Sequence, residues 1–121
     1  MDSNALHQFL KNSNIKIEKN ANYGNLIDKV FSHFVEPNLI QPTFIVNFPK
    51  AISPLAKEHR DNKDLVERFE LFIGGMEIAN SFTELNDPLD QLERLNSQLD
   101  LRAKGDKEAQ VVDHSFIEAM E

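Results

Sequence analysis

The sequence holds no cysteine and no tryptophan, one tyrosine, and only 13 basic residues against 20 acidic ones in 121. Without cysteine there is no disulfide framework, no Cys-based zinc site and no thiol nucleophile. A reducing compartment is permitted, and a cytoplasmic location is the expectation. The net charge of −7 argues against a chain that wraps nucleic acid by charge alone. It leaves open a nucleic-acid enzyme whose basic surface lies elsewhere. No apolar run approaches the roughly 20 residues that cross a bilayer. The start, Met1-Asp2-Ser3-Asn4, is polar and acidic and unlike a signal peptide. No membrane partner is expected.

What is present is 40% hydrophobic and 27% charged residues, the balance of a globular chain. The length is one domain's worth, enough for a modest core. Nine phenylalanines supply that core with few polar aromatic handles.

Residues 3–12 read as a short helix with Ser3 as N-cap and Ala5, Leu6, Phe9 and Leu10 as its apolar positions. Asn20-Ala21-Asn22 is a turn-like cluster. A second helix is expected over 24–36, with Leu26, Ile27, Val30, Phe31 and Phe34 as its stripe, His33 partly buried beside it, and Pro37 closing it. Residues 43–48, β-branched and aromatic between two prolines, predict a strand. Ser53-Pro54-Leu55-Ala56 is turn material, and the polar stretch 57–64, with His59, reads as a solvated loop. Residues 65–73 alternate as a strand, Gly74-Gly75 makes a two-residue hairpin turn, and 76–85 return. Asn86-Asp87-Pro88 starts a helix carried by Leu89, Leu92, Leu95 and Leu99 to about 103 and ended by Gly105. Asp113 caps a last helix over 115–121, in which the chain stops without a C-cap signal. The mixed order favours an α+β fold.

The hairpin concentrates the chemistry. With the two glycines in the loop, Ile73 faces Met76, Phe72 faces Glu77, Leu71 faces Ile78 and Glu70 faces Ala79. Glu70 and Glu77 then share a face on diagonal positions. Two close carboxylates raise each other's pKa unless a cation lies between them, and Mg²⁺ is a natural occupant. The alternative is a wet sheet face with Arg68 nearby. Asn80, Phe82 and Glu84 recur at period two and suit a small zwitterion: an amide for a carboxylate, a ring for an aliphatic chain, a carboxylate for an ammonium. The alternative is a strand edge of mixed residues. A regular strand puts Glu77 and Asn80 on opposite faces, so one site needs a bulge or strong twist near Ile78-Ala79.

The segments Asn38-Leu39-Ile40-Gln41-Pro42-Thr43-Phe44-Ile45, Ser53-Pro54-Leu55-Ala56-Lys57, RFELFIGGMEIANSFTELNDPLDQ over 68–91 and AKGDKEA over 103–109 resemble class II lysyl-tRNA synthetases. The resemblance runs from about Ala5 to the last residue and covers the stretch between the second and third signature motifs. It implies that 1–36 are the helical end of an insertion between those motifs. It implies that 37–121 are part of the catalytic core, a partial antiparallel sheet with flanking helices. The anticodon-binding domain, motif 1, the motif 2 arginine and motif 3 are absent from this stretch. Carried over by position, Glu70 and Glu77 match the glutamates that hold the ATP-bound Mg²⁺, with Glu77 on the nucleotide side. Asn80, Phe82 and Glu84 match lysine contacts, Asn80 to the α-carboxylate and Glu84 to the ε-ammonium. No residue here matches a catalytic acid, base or nucleophile. The implied partners are lysine, ATP and tRNA(Lys), in a homodimeric enzyme. A paralogue that lysylates an elongation factor, and a non-catalytic interaction module derived from the synthetase, remain alternatives.

Overall fold

A computed structural model describes residues 2–18, 21–103 and 110–121. The turn residue Asn20, the helix stop Gly105 and residues 104–109 of the AKGDKEA segment lie outside the described residues.

Helix α1 spans Ser3–Asn12, and its cap is Asp2 rather than Ser3: the Asp2 carboxylate accepts from the Ala5 amide at 2.8 Å. Aspartate is at least as good a cap as serine, and Ser3 is drawn into the first turn. Helix α2 spans Tyr23–Phe34 and begins with a reciprocal Asn22–Asn25 capping box. It stops short of residue 36 because Pro37 sits within a separate 3₁₀ turn, Glu36–Asn38. Leu6, Leu10 and Leu26 bury each other where the helices meet, with Ile15, Ile17, Ala21, Ile27 and Val30 around them. His33 is exposed, not partly buried, and its ring lies 5.2 Å from that of Phe34.

Three strands form the main sheet in the order β1-β4-β5, all antiparallel: β1 Thr43–Val46, β4 Arg68–Ile73 and β5 Met76–Phe82. β1 is shorter than expected because Asn47 turns to a φ of 58°, which swings Phe48 into a second core with Ala56 and Val66. Gly74 and Gly75 have φ of 63° and 74°, the two positive values that a tight primed hairpin turn demands. The turn is latched to the preceding segment: Gly74 N–H donates to the Ile40 carbonyl at 2.9 Å and Gly75 N–H to that of Leu39 at 3.1 Å.

The stretch 57–64 is not a loop. It supplies β2, Glu58–His59, and most of β3, Asn62–Val66, a small antiparallel ribbon. Its residues are polar because the ribbon buries little except Val66, so hydrophobic alternation is missing. The long strand expected over 65–73 is divided at Glu67 between this ribbon and β4. β5 ends at Phe82 rather than 85, and the chain continues extended: Lys57 N–H donates to the Thr83 carbonyl at 2.7 Å, and Glu84 bridges Ala56.

Helix α3, Pro88–Ala103, is capped by Asp87, whose carboxylate accepts from the Leu89 and Asp90 amides. Its leucine stripe carries the packing only through Leu95, 3% exposed: Leu89 is 77% exposed, and the other buried residues are Gln91 and Arg94. Arg94 donates to the Ala56 carbonyl at 2.7 Å and grips Asp90, while Gln91 donates to the Pro54 carbonyl at 3.2 Å. Polar bonds to 54–56 thus seat this helix. Helix α4, His114–Met120, is capped by Asp113 as expected, beginning one residue early. Among the described residues no helix is long and apolar enough to cross a membrane.

Candidate functional site

The site is built on one face of the β4–β5 hairpin. Ile73 pairs with Met76 and Phe72 with Glu77, as the two-residue turn requires. The ladder then shifts: Leu71 pairs with Ala79, not Ile78, and Glu70 with Asn80, not Ala79. Ile78 is the extra residue of a β-bulge, and the small Ala79 beside it crowds nothing. One inserted residue reverses the alternation beyond it. Arg68, Glu70 and Phe72 of β4 therefore share a face with Glu77, Asn80 and Phe82 of β5, and Glu84 continues the alternation past Phe82. The two candidate sets, incompatible in a regular strand, lie together.

Glu70 is not on a wet face. It is 7% exposed, beneath α2, whose Phe31 ring meets Phe72 edge-on at 5.5 Å. Arg68 bonds Glu70 through Nη2, and Asn80 Oδ1 accepts from Arg68 Nε at 3.1 Å. Burial pushes the Glu70 carboxyl above the usual glutamate range. The Arg68 charge opposes that rise, while the Glu77 and Asp28 charges add to it. A cavity of about 210 Å³ opens beside this pair, lined by Asp28, Phe31, Ile45, Phe48, Arg68 and Glu70 among others. A cavity of about 280 Å³ between the start of α2 and the end of α3 contains none of the candidate residues.

Glu77, Asn80 and Glu84 are exposed and Phe82 is half-buried, so a ligand could reach all four. Among the described residues, no group of three or more His, Cys, Asp or Glu converges to cage a metal. Glu70 and Glu77 are instead a repelling pair of hard oxygen donors. That suits a Mg²⁺ completing its shell with substrate phosphates and water, the usual arrangement for this ion. Two contributors were not singled out as site residues from the sequence, where Arg68 stands only as a neighbour of the two carboxylates and Asp28 not at all. Arg68 lies two residues from Glu70, and period two alone places it on the same face. Asp28 comes from a distant helix, and no local pattern announces it.

Residues 4–121 match the family model of class II tRNA synthetases (D, K and N). The chain is similar to lysine–tRNA ligase of Chloroflexus aurantiacus, 50% identical over 119 residues, which are 98% of this chain and 24% of that protein. It is 50% identical over 116 residues to lysine–tRNA ligase of Christiangramia forsetii, covering 96% of this chain and 20% of the relative. It is 51% identical over 112 residues to that of Helicobacter pylori strain 26695, covering 93% and 22%. The chain therefore spans between a fifth and a quarter of the length of these relatives.

Proposed function

The chain belongs to the class II tRNA synthetases (D, K and N), and on that ground we propose that it is the lysine- and metal-reading part of a lysyl-tRNA synthetase. In this reading the intact enzyme joins the lysine carboxylate to the ATP α-phosphorus, releasing pyrophosphate, and passes the lysyl group from the adenylate to the 3′-terminal ribose of tRNA(Lys), releasing AMP. Residues 1–36 would close the insertion and 37–121 would belong to the catalytic core of a cytoplasmic homodimer.

The single observation that supports it best is the bulge at Ile78, which brings Glu77 onto the face of Asn80 and Phe82. Glu84 pairs the ε-ammonium of lysine, Phe82 packs along its methylenes, and Asn80 donates to its α-carboxylate. Glu70 and Glu77 would hold Mg²⁺, with Glu77 also serving the nucleotide. The ion, when bound, supplies charge neutralisation for the phosphates. No side chain here moves a proton. The chain's residues bind and orient, and the rate gain comes from placing the carboxylate against phosphorus.

The test is Glu84→Gln in the full-length synthetase. A charged hydrogen-bond partner lost to the ammonium costs binding and selectivity. Lysine KM should rise at least tenfold, an order set by about 1.4 kcal/mol, with ATP KM nearly unchanged. Unaltered lysine kinetics would remove the assignment.

A further inference from the structure

Arg68 has no task in the reading above, yet it is among the most tightly held side chains of the face. Its Nη1 donates to Ser53 Oγ at 2.9 Å and to the Ile52 carbonyl at 3.2 Å. Its Nη2 bonds Glu70, and Nε donates to Asn80 Oδ1 at 3.1 Å. The guanidinium carbon lies 4.7 Å from the centre of the Phe48 ring. The two anchors on the 50–53 turn stop the fork from swinging, and the Glu70 carboxylate occupies one of its arms.

A guanidinium carries donors only. Asn80 can meet it only with its amide oxygen, which leaves Nδ2 and both its N–H groups pointing away from Arg68. Asn80 is exposed, so those donors face the open side of the strand. A free asparagine would present nitrogen or oxygen to a ligand with little preference, and an oxygen would repel a carboxylate.

We propose that Arg68 is a positioning residue: by holding Asn80 Oδ1 it fixes the amide with its N–H groups toward the α-carboxylate of the lysine substrate. This rests on the assignment of Asn80 to that carboxylate. Arg68 does not touch the substrate. Its charge is engaged by Glu70, and it acts through Asn80. Lysine cannot replace it, because a single ammonium has no planar fork to serve Glu70, Ser53 and Asn80 together.

The experiment compares two ligands of the full-length synthetase that carries this segment: lysine, and 1,5-diaminopentane, which is lysine without its carboxylate. Arg68→Lys keeps the charge beside Glu70 and should raise the Kd for lysine about tenfold, while that for 1,5-diaminopentane changes less than about twofold. Asn80→Ala should lose lysine affinity similarly, and adding Arg68→Lys to it should cost nothing more, since the coupled pair is already broken. Asn80→Asp, which leaves Arg68 in place, keeps the test readable if Arg68→Lys does not fold. It should weaken lysine more than Asn80→Ala does and spare 1,5-diaminopentane. Equal losses of both ligands, or additive effects of the two substitutions, would overturn the proposal. A loss with Asn80→Ala but none with Arg68→Lys would overturn Arg68 alone. Unchanged lysine affinity in Asn80→Ala would overturn the assignment of Asn80 and the task of Arg68 with it.

Discussion

Glu70 shows how far a single side chain can be read from sequence. Its partnership with Glu77 follows from period two and a two-residue turn. Its burial does not, because that depends on α2 crossing the face with Phe31 and Asp28. The burial has a pH consequence. A carboxyl whose folded pKa is raised binds more protons in the native than in the unfolded state, so stability falls as pH rises through that window. The contribution of Glu70 is fully present below the ordinary glutamate pKa and is lost as pH climbs past the raised folded value. Asp90 works in the opposite sense, its carboxyl held low chiefly by the Arg94 hydrogen bond. Melting temperature measured from pH 4 to 8 should therefore decline less steeply as pH rises above the ordinary glutamate range in Glu70→Gln than in the unaltered protein. Parallel curves would mean that Glu70 is not desolvated.

The helices and the hairpin turn were legible because caps, glycines and apolar spacing leave local marks. The β2–β3 ribbon was not, since strands that pair mainly with each other and bury little show no alternation. The seating of α3 was also hidden in part: a leucine stripe suggested an apolar face, of which Leu95 is buried, and the hydrogen bonds of Arg94 and Gln91 hold the helix beside it. Arg94→Ala would strand the buried Ala56 carbonyl and leave the half-buried Asp90 with only Lys50, 3.9 Å away, a loss of about 2 kcal/mol, measurable by urea unfolding. A cost below about 1 kcal/mol would mark the pair as a surface contact. Deleting Ile78 in the full-length synthetase should abolish lysine-dependent ATP–pyrophosphate exchange, because it returns either Glu77 or the Asn80–Glu84 row to the wrong face. Exchange within about twofold of the unaltered enzyme, well under 1 kcal/mol, would show that the bulge is dispensable.

The molecule as a whole has a sheet with one face partly covered by α2 and the other bare. Behind the site face stand Phe44, 61% exposed, and Met76, 62% exposed, with Val46, Phe69, Ile73 and Ile78 also open. Contiguous apolar surface of this kind is uncommon on a free monomer. This chain on its own should therefore enhance the fluorescence of an apolar dye such as anilinonaphthalene sulfonate, and Phe44→Ser with Val46→Thr should reduce the signal. A chain of a fifth to a quarter of its relatives' length should also give no ATP–pyrophosphate exchange by itself. Robust lysine-dependent exchange would contradict that. None of this surface was foreseen from composition, because alternation reveals that a strand has two faces and not whether both find cover.

The bulge also constrains how such a strand can vary in length. Facing is a matter of parity: a side chain points up or down according to whether an odd or even number of residues separates it from a reference. Between Glu77 and Asn80 the ladder has spent one residue to change odd into even. Any single insertion or deletion there inverts every position beyond it, while the same event past Glu84 inverts nothing in the site. The two amino acids between Glu77 and Asn80, Ile78 and Ala79, are thus a count that must be kept for both side chains to share a face, even when their identities are free to drift.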